Sequence, residues 1–182
     1  MHIWALIPYT EKLDAGNLGA ITRSSFFLGV DALVTTAHSA PFSAVALKAS
    51  AGAAESLPLL TTVRPVNFLD ACRRTGWKIY TAEIPDGSKG RNTKIASLPH
   101  LSGWLRRHPC ILILGNEGEG VREKIRKMAD YAVVIESRRK QRYGVDSLNV
   151  SAAGALLIEA FMRDSSWAPD VHRRSADETK LF

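Results

Sequence analysis

Six short apolar, β-rich runs are spaced along the chain so that each is followed by room for one helix. This alternation restricts the fold more than any other feature of the sequence. The runs fall at 2–7, 32–36, 57–61, 77–82, 110–114 and 131–135. Helical patterns occupy about 17–29, 41–50, 64–75, 97–107, 119–129 and 147–163. Two of the runs, Ile111-Leu112-Ile113-Leu114 and Tyr131-Ala132-Val133-Val134-Ile135, are apolar throughout instead of alternating. Continuous apolar strands suit a parallel sheet buried on both faces. The pattern therefore predicts an α/β fold, a mostly parallel sheet with helices on both faces.

With 182 residues, the chain is long enough for one domain with a sizeable core. No stretch approaches the roughly 20 apolar residues of a membrane span, and the first residues lack the pattern of a secretory signal. The two cysteines, Cys72 and Cys110, and the five histidines form no ligand-spaced set, so neither a disulfide scaffold nor a metal site is expected. Residues 165–182 are polar and read as a loosely packed tail.

The net charge is +6, which points weakly towards nucleic acid or another anionic partner. Its position says more. Residues 121–143 hold 8 basic and 3 acidic groups, and residues 144–182 hold 4 basic and 6 acidic. Most of the excess therefore sits in one stretch. A solvated helix face followed by a loop would carry the same charges.

Three segments carry candidate chemistry. In residues 14–29, Asn17 can cap a helix, Gly19 and Ala20 permit close backbone approach, and Arg23 lies within two turns of Asn17. Ile21, Phe26, Phe27 and Leu28 are expected to face the sheet. In residues 110–121 a buried strand runs into a glycine-rich turn, with Gly115, Gly118 and Gly120. The carboxyl ends of strands are where open α/β sheets bind ligands. The G-x-x-G-x-G spacing, with Glu136 about twenty residues on, imitates a dinucleotide fingerprint with its glycine order reversed. Glu117 within the turn disfavours a phosphate and suits a neutral or cationic ligand. In residues 146–160 a small-residue helix starts at Asp146 or Ser147, with Ser147 and Asn149 polar at its first turn. Taken singly, each segment also reads as an ordinary capped helix or tight turn. Residues 48–53 form a further small-residue stretch, open to helix packing or a ligand-facing turn. No Walker A sequence, nucleophile elbow or Ser/His/Asp set occurs.

Taken in order, the segments resemble the SpoU (TrmH-like) branch of the SPOUT RNA 2′-O-methyltransferases. The matching motifs are N-x-G-A-x-x-R at 17–23, K-A-S-A-G-A at 48–53, L-G-N-E-G-x-G at 114–120 and S-L-N-V-S at 147–151. The fuller pattern is most similar to the catalytic domains of mitochondrial large-subunit rRNA ribose methyltransferases. The resemblance implies a deep trefoil knot near the C-terminus, S-adenosylmethionine as cofactor, a homodimer and an RNA substrate. It divides the chain into a catalytic domain, 1–164, and a tail, with an N-terminal RNA-binding domain outside this sequence. It also implies a mitochondrial location, the cytoplasm being the alternative.

By this resemblance, Arg23, Asn17 and Glu117 are catalytic. Cofactor contacts fall to Thr81, Ala82, Leu114, Gly115, Asn116, Gly118, Ile135, Ser147, Leu148 and Asn149, and no metal is involved. The family's Pro after the first-motif Asp is Ala15 here. Where bacterial relatives commonly carry Pro-Met-x-Gly, this chain has a longer basic loop, 136–144. That loop offers Arg138, Arg139, Lys140 and Arg142 to RNA phosphates, with Tyr143 beside them. The implied activity is methylation of a guanosine 2′-hydroxyl in large-subunit rRNA, a tRNA ribose being the nearest alternative. A nicotinamide-dependent oxidoreductase using the 115–120 turn and a non-catalytic RNA-binding module are the rivals from other classes.

Overall fold

The computed structural model describes residues 2–7, 14–37, 42–84, 94–115, 121–138 and 147–163. The first half runs β1 (Ile3–Ile7), α1 (Ala15–Phe27), β2 (Ala32–Thr36), α2 (Ala44–Ser50), α3 (Ala53–Ser56), β3 (Leu59–Thr62) and α4 (Pro65–Arg74). The second half runs β4 (Lys78–Glu83), β5 (Lys94–Ser97), β6 (Cys110–Ile113), α5 (Glu123–Arg126), β7 (Tyr131–Val134) and α6 (Val150–Met162). The strands form one sheet in the order β3-β2-β1-β6-β4-β7-β5, and every pairing is parallel. The expected α/β architecture is therefore the observed one.

The sheet has a helical layer on each face. One row of side chains, Leu33, Ala5, Leu112, Tyr80 and Tyr131, crosses five adjacent strands in register. It packs under α1 and α6 through Leu18, Ile21, Leu157, Ile158 and Phe161. The alternate positions Leu6, Val34, Ile79, Ile111 and Ile113 pack under α4 and α5 through Leu69, Cys72 and Ile125. Because both faces are covered, β6 needs no polar side at all, which is why its sequence is uniformly apolar. Tyr80 anchors the first layer. It stacks on Tyr131 at 5.4 Å, meets Phe161 edge-on at 4.8 Å, and shares a 3.0 Å hydrogen bond with His108 Nε2.

Two aspartates set the amino edge. Asp31 Oδ2 accepts from Ile3 N at 2.7 Å, and Asp130 Oδ2 accepts from Ile79 N at 2.9 Å. Each lies just before its own strand and satisfies a backbone donor on the neighbouring one.

Several expected elements differ. The helix expected over 97–107 is replaced by β5 and two 310 turns, Leu98–Leu101 and Trp104–Arg106. Pro99 sits in the first turn, and Gly103 adopts φ 75°, which interrupts helical continuation. The helix expected over 119–129 spans only Glu123–Arg126 among the described residues. β3 lies at 59–62 rather than 57–61, and the segment after it begins at Pro65. Residues 41–50 shorten to Ala44–Ser50, capped by Ser43. The stretch 48–53 is a packing turn: Ala51 and Gly52 take left-handed φ of 49° and 87° between α2 and α3. Phe26 and Phe27 do not face the sheet. They are 49% and 81% exposed, while Ile21 is buried as expected.

Candidate active site at the carboxyl edge of the sheet

Three adjacent strands end side by side at this edge. In the ladder, Thr81 of β4 lies opposite Ile113 of β6 on one side and Ala132 of β7 on the other. Leu114 and Gly115, after β6, therefore come beside Ala82 and Glu83, and Ile135 and Glu136, after β7, come just beyond Glu83. Thr81 is fully buried and donates from Oγ1 to Glu83 Oε1 at 3.2 Å. Leu114 extends the ladder by one bond, its N–H donating to Leu6 O at 3.0 Å.

The start of α6 meets this edge through a close contact. A Cβ placed on Gly154 would stand 3.0 Å from Leu114 Cδ1. Glycine at 154 thus lets the helix pack directly on the leucine that precedes the glycine-rich turn. Asn149, not Ser147 or Asp146, caps this helix. Its Oδ1 accepts from Ser151 N at 3.0 Å and from Ser151 Oγ at 2.6 Å. Ser147 and Leu148 precede the cap and are exposed, and Leu148 is not part of the helix's packed side. Leu156, on the helix itself, is 46% exposed.

α1 comes to the same place. Its N-cap is Asp14, not Asn17: Asp14 Oδ2 accepts from Asn17 N at 3.1 Å. Gly16 keeps room for that carboxylate, since a Cβ there would sit 2.7 Å from it. Freed from capping, the Asn17 side chain accepts through Oδ1 a 3.0 Å hydrogen bond from Asn149 Nδ2. The first and third sequence motifs thereby meet in space. Gly19 holds α1 against α2, because a Cβ there would lie 2.3 Å from Ala46 O.

Arg23 is not drawn into this contact. Six residues beyond Asn17, it is turned about 240° round the helix. It is exposed and has no hydrogen bond or ion pair among the described residues. Its guanidinium is available to a ligand. Ala82 and Ile135 are half-buried against the core. Asn116, Glu117 and Gly118, and Arg139, Lys140 and Arg142 with Tyr143, lie outside the described residues, whereas Arg138 is described and exposed.

Two features of the site had little or no local signal in sequence. Glu83 reads as an ordinary strand-end residue until its bond to Thr81 is seen. The Asn17–Asn149 bond joins residues 132 positions apart. The Asp14 cap had a recognisable signal, an Asp three residues before the Asn whose N–H it accepts.

Burial raises the ordinary pKa of two groups beneath the site. It drives the Tyr80 hydroxyl up, with further contributions from Cys110 and Tyr131, and it pushes the Cys110 thiol up to about 12. Cys110 is thus a thiol rather than a thiolate at neutral pH, a packing residue and not a nucleophile.

The model of the SpoU rRNA Methylase family matches residues 8–159. The chain is 36% identical over 159 residues to the Saccharomyces cerevisiae protein named rRNA methyltransferase 1, mitochondrial, covering 82% of this chain and 39% of that one. The Homo sapiens protein of the same name is 34% identical over 161 residues, covering 87% and 45%. A Photorhabdus laumondii protein named 23S rRNA (guanosine-2′-O-)-methyltransferase is 34% identical over 156 residues, covering 84% and 57%. The chain thus spans about half the length, or less, of these relatives. Among solved structures, an AdoMet-bound rRNA methyltransferase from Sinorhizobium meliloti superposes with a TM-score of 0.71 at 20% identity, covering 89% of this chain and 56% of that one. The SpoU methyltransferase AviRb from Streptomyces viridochromogenes gives 0.69 at 22% identity, covering 89% and 59%. The likeness extends to the overall α/β fold, while the segments 116–120 and 139–146, on which the expected trefoil knot depends, lie outside the described residues.

Proposed function

Because the chain belongs to the SpoU rRNA methylase family, we propose that it is the catalytic domain of an RNA ribose 2′-O-methyltransferase that uses S-adenosylmethionine. Its substrate in this reading is a guanosine of mitochondrial large-subunit rRNA. The names of the yeast, human and Photorhabdus relatives support the RNA class, the guanosine and the compartment. The single observation that carries the reading is the Asn149–Asn17 hydrogen bond, which fastens the helix bearing Arg23 to the segment assigned to the cofactor. The oxidoreductase reading loses its basis, since the glycine-rich turn belongs to a methylase family.

The residues at the carboxyl edge fit the cofactor. Half-buried Ile135 and exposed Leu148 offer apolar surface for adenine, and Leu114, itself buried, contributes through its main chain at the start of the turn. The charged side chains described at the ends of β4 and β7 are Glu83 and Glu136, followed by Arg138. Such an edge suits a cationic sulfonium and opposes a pyrophosphate. Thr81 and Ala82, the turn Gly115, Asn116 and Gly118, and Ser147 and Asn149 complete the assigned contacts. When bound, S-adenosylmethionine supplies an electrophilic methyl group.

The chain's own residues do the rest. A guanidinium is a poor base and a strong double donor, so the role of Arg23 is to hold the 2′-oxygen or its neighbouring phosphate and to stabilise developing negative charge on that oxygen. Asn17, fixed by Asn149, orients the substrate beside Arg23. Glu117 is assigned to accept the hydroxyl proton or to order the turn. Arg138, with Arg139, Lys140 and Arg142, is assigned to RNA phosphates.

A homodimer is part of the same proposal. Phe27 on α1 and Leu148 and Leu156 at and on α6 leave 81%, 47% and 46% of their surfaces exposed. The two helices pack together, so these side chains sit on neighbouring surfaces that a second copy can cover. The test is transfer of labelled methyl to large-subunit rRNA and to tRNA, followed by mapping of 2′-O-methylated nucleotides. Methylguanosine in rRNA supports the reading. Label confined to tRNA replaces the substrate, and label in neither rejects the activity.

A further inference from the structure

The charges described on the two helical layers are unequally divided. α1, α2, α3 and α6 with their caps carry Arg23, Lys48 and Arg163 against Asp14, Glu55 and Glu159, so that layer is neutral overall. On the opposite face, 64–74 and 122–127 carry seven basic residues and two acidic ones. Both of those acids are already engaged. Asp70 pairs with Arg74 at 2.5 Å, and Glu123 pairs with Lys127 at 2.8 Å. Arg64, Arg73, Lys124 and Arg126 remain exposed, with no side-chain ion pair among the described residues.

The two helices bearing these cations are neighbours and share one core through Leu69, Cys72, Val121 and Ile125. A groove of about 690 Å³ runs along α4 as far as Met128, lined by neutral Asn67, Ala71 and Thr75 as well as the Asp70–Arg74 pair. α5 begins directly after the glycine-rich turn at the end of β6, so this face is continuous with the edge that holds the active site.

We propose that the α4–α5 face is a second RNA-contact surface, which holds the sugar–phosphate backbone of the substrate beyond the reacting nucleotide. The inference rests on RNA being the substrate. Its occupant follows from charge: exposed cations that have no ion pair among the described residues on one face, with the described charges of the opposite layer balanced, complement a polyanion. No base-reading group is needed, and such a surface adds affinity without sequence preference. It also supplies the contact that the 136–144 loop alone would otherwise have to provide.

The test compares the wild-type chain with R73E/R126E. The probes are a large-subunit rRNA transcript and single-stranded poly(U), each titrated over a range of salt. Each lost phosphate contact lowers the log–log salt slope by about 0.7–0.9. The double variant is therefore expected to lose roughly 1.5 of that slope and to bind both RNAs at least tenfold more weakly at 0.1 M salt. Its S-adenosylmethionine affinity and its kcat at saturating RNA stay within twofold of wild type. Unchanged affinity and slope in a folded variant overturn the proposal. Lysine acylation of the wild-type protein gives a second readout that needs no variant. RNA protects Lys124 while Lys48 on the neutral layer stays reactive, and equal reactivity of Lys124 with and without RNA also overturns it. If R73E/R126E loses RNA affinity and slope as expected while the wild type transfers no methyl group, the enzymatic reading fails and the surface stands.

Discussion

Asn149 Nδ2 lies 3.0 Å from Asn17 Oδ1, and through this bond the N-cap of α6 also fixes the first turn of α1. One side chain does two jobs with two atoms. Its oxygen accepts from Ser151, and its nitrogen donates to Asn17. The two jobs separate by substitution. Asn149→Ser keeps a capping oxygen and loses the amide that reaches Asn17, so thermal stability should stay near wild type while methyl transfer falls. Asn149→Ala loses both, adding the cost of a missing cap, about 1 kcal/mol. Thermal melts and transfer assays on the pair decide the matter. Equal activity in Asn149→Ser and wild type would show that the contact does not orient the site.

Arg23 is exposed and unpaired among the described residues, so removing it should disturb the fold little. Arg23→Ala is expected to bind S-adenosylmethionine within twofold of wild type and to lose about 10²–10³ in kcat, the usual cost of one donor to a developing oxyanion. Arg23→Lys keeps the charge and loses the planar fork, so it should recover only a small part. Calorimetry for the cofactor and single-turnover transfer for the reaction separate the two effects. A variant that loses cofactor affinity but keeps its transfer rate reverses the assignment of Arg23.

The parts of this fold legible in sequence are those set by local pattern. β6 and β7 show their burial in unbroken apolar runs, and the α/β class follows from their alternation with helices. What escaped depends on partners distant in sequence. The 97–107 segment has helical spacing, yet Pro99 and Gly103 turn it into short 310 pieces, and an added strand, β5, pairs with β7. Phe26 and Phe27 look like core residues by type, and only the placement of α1 reveals them as surface. The first and last motif segments meet in space through Asn17 and Asn149, but the caps fall elsewhere than expected at both helices. Asp14 and Asn149 take the caps, which leaves Asn17 free for a long-range bond invisible to any window of sequence.

Gly19 tests the packing that places α1. In an exposed helix interior, Gly→Ala gains up to about 1 kcal/mol from helix propensity. Here the new Cβ would stand 2.3 Å from Ala46 O, 2.6 Å from Ala49 Cβ and 3.0 Å from Ser50 N. A backbone carbonyl cannot swing aside as a flexible side chain can, so the clash outweighs the propensity gain. Gly19→Ala should therefore destabilise by about 1–3 kcal/mol, as overpacking does. It should also weaken transfer, because α1 carries both Asn17 and Arg23. Urea unfolding measures the first effect, and a net stabilisation would contradict the tight α1–α2 approach.

His108 makes acid sensitivity a readout of the Tyr80 cluster. Burial first, then Lys78 and Arg107, hold its pKa below the ordinary histidine value, with Asp130 opposing. The folded state therefore takes up a proton less readily than the unfolded chain. Above about pH 6.5 both states are neutral at this position and the full stability is present. As the pH falls below that value the unfolded state protonates first, and stability declines until the folded pKa is passed. His108→Gln removes the titration and keeps a polar partner for the Tyr80 hydroxyl, which lies 3.0 Å from His108 Nε2 in the wild type. Melting temperatures measured from pH 7.5 to 5 should fall more steeply in the wild type than in H108Q below pH 6.5. Parallel profiles would place the acid sensitivity elsewhere in the chain.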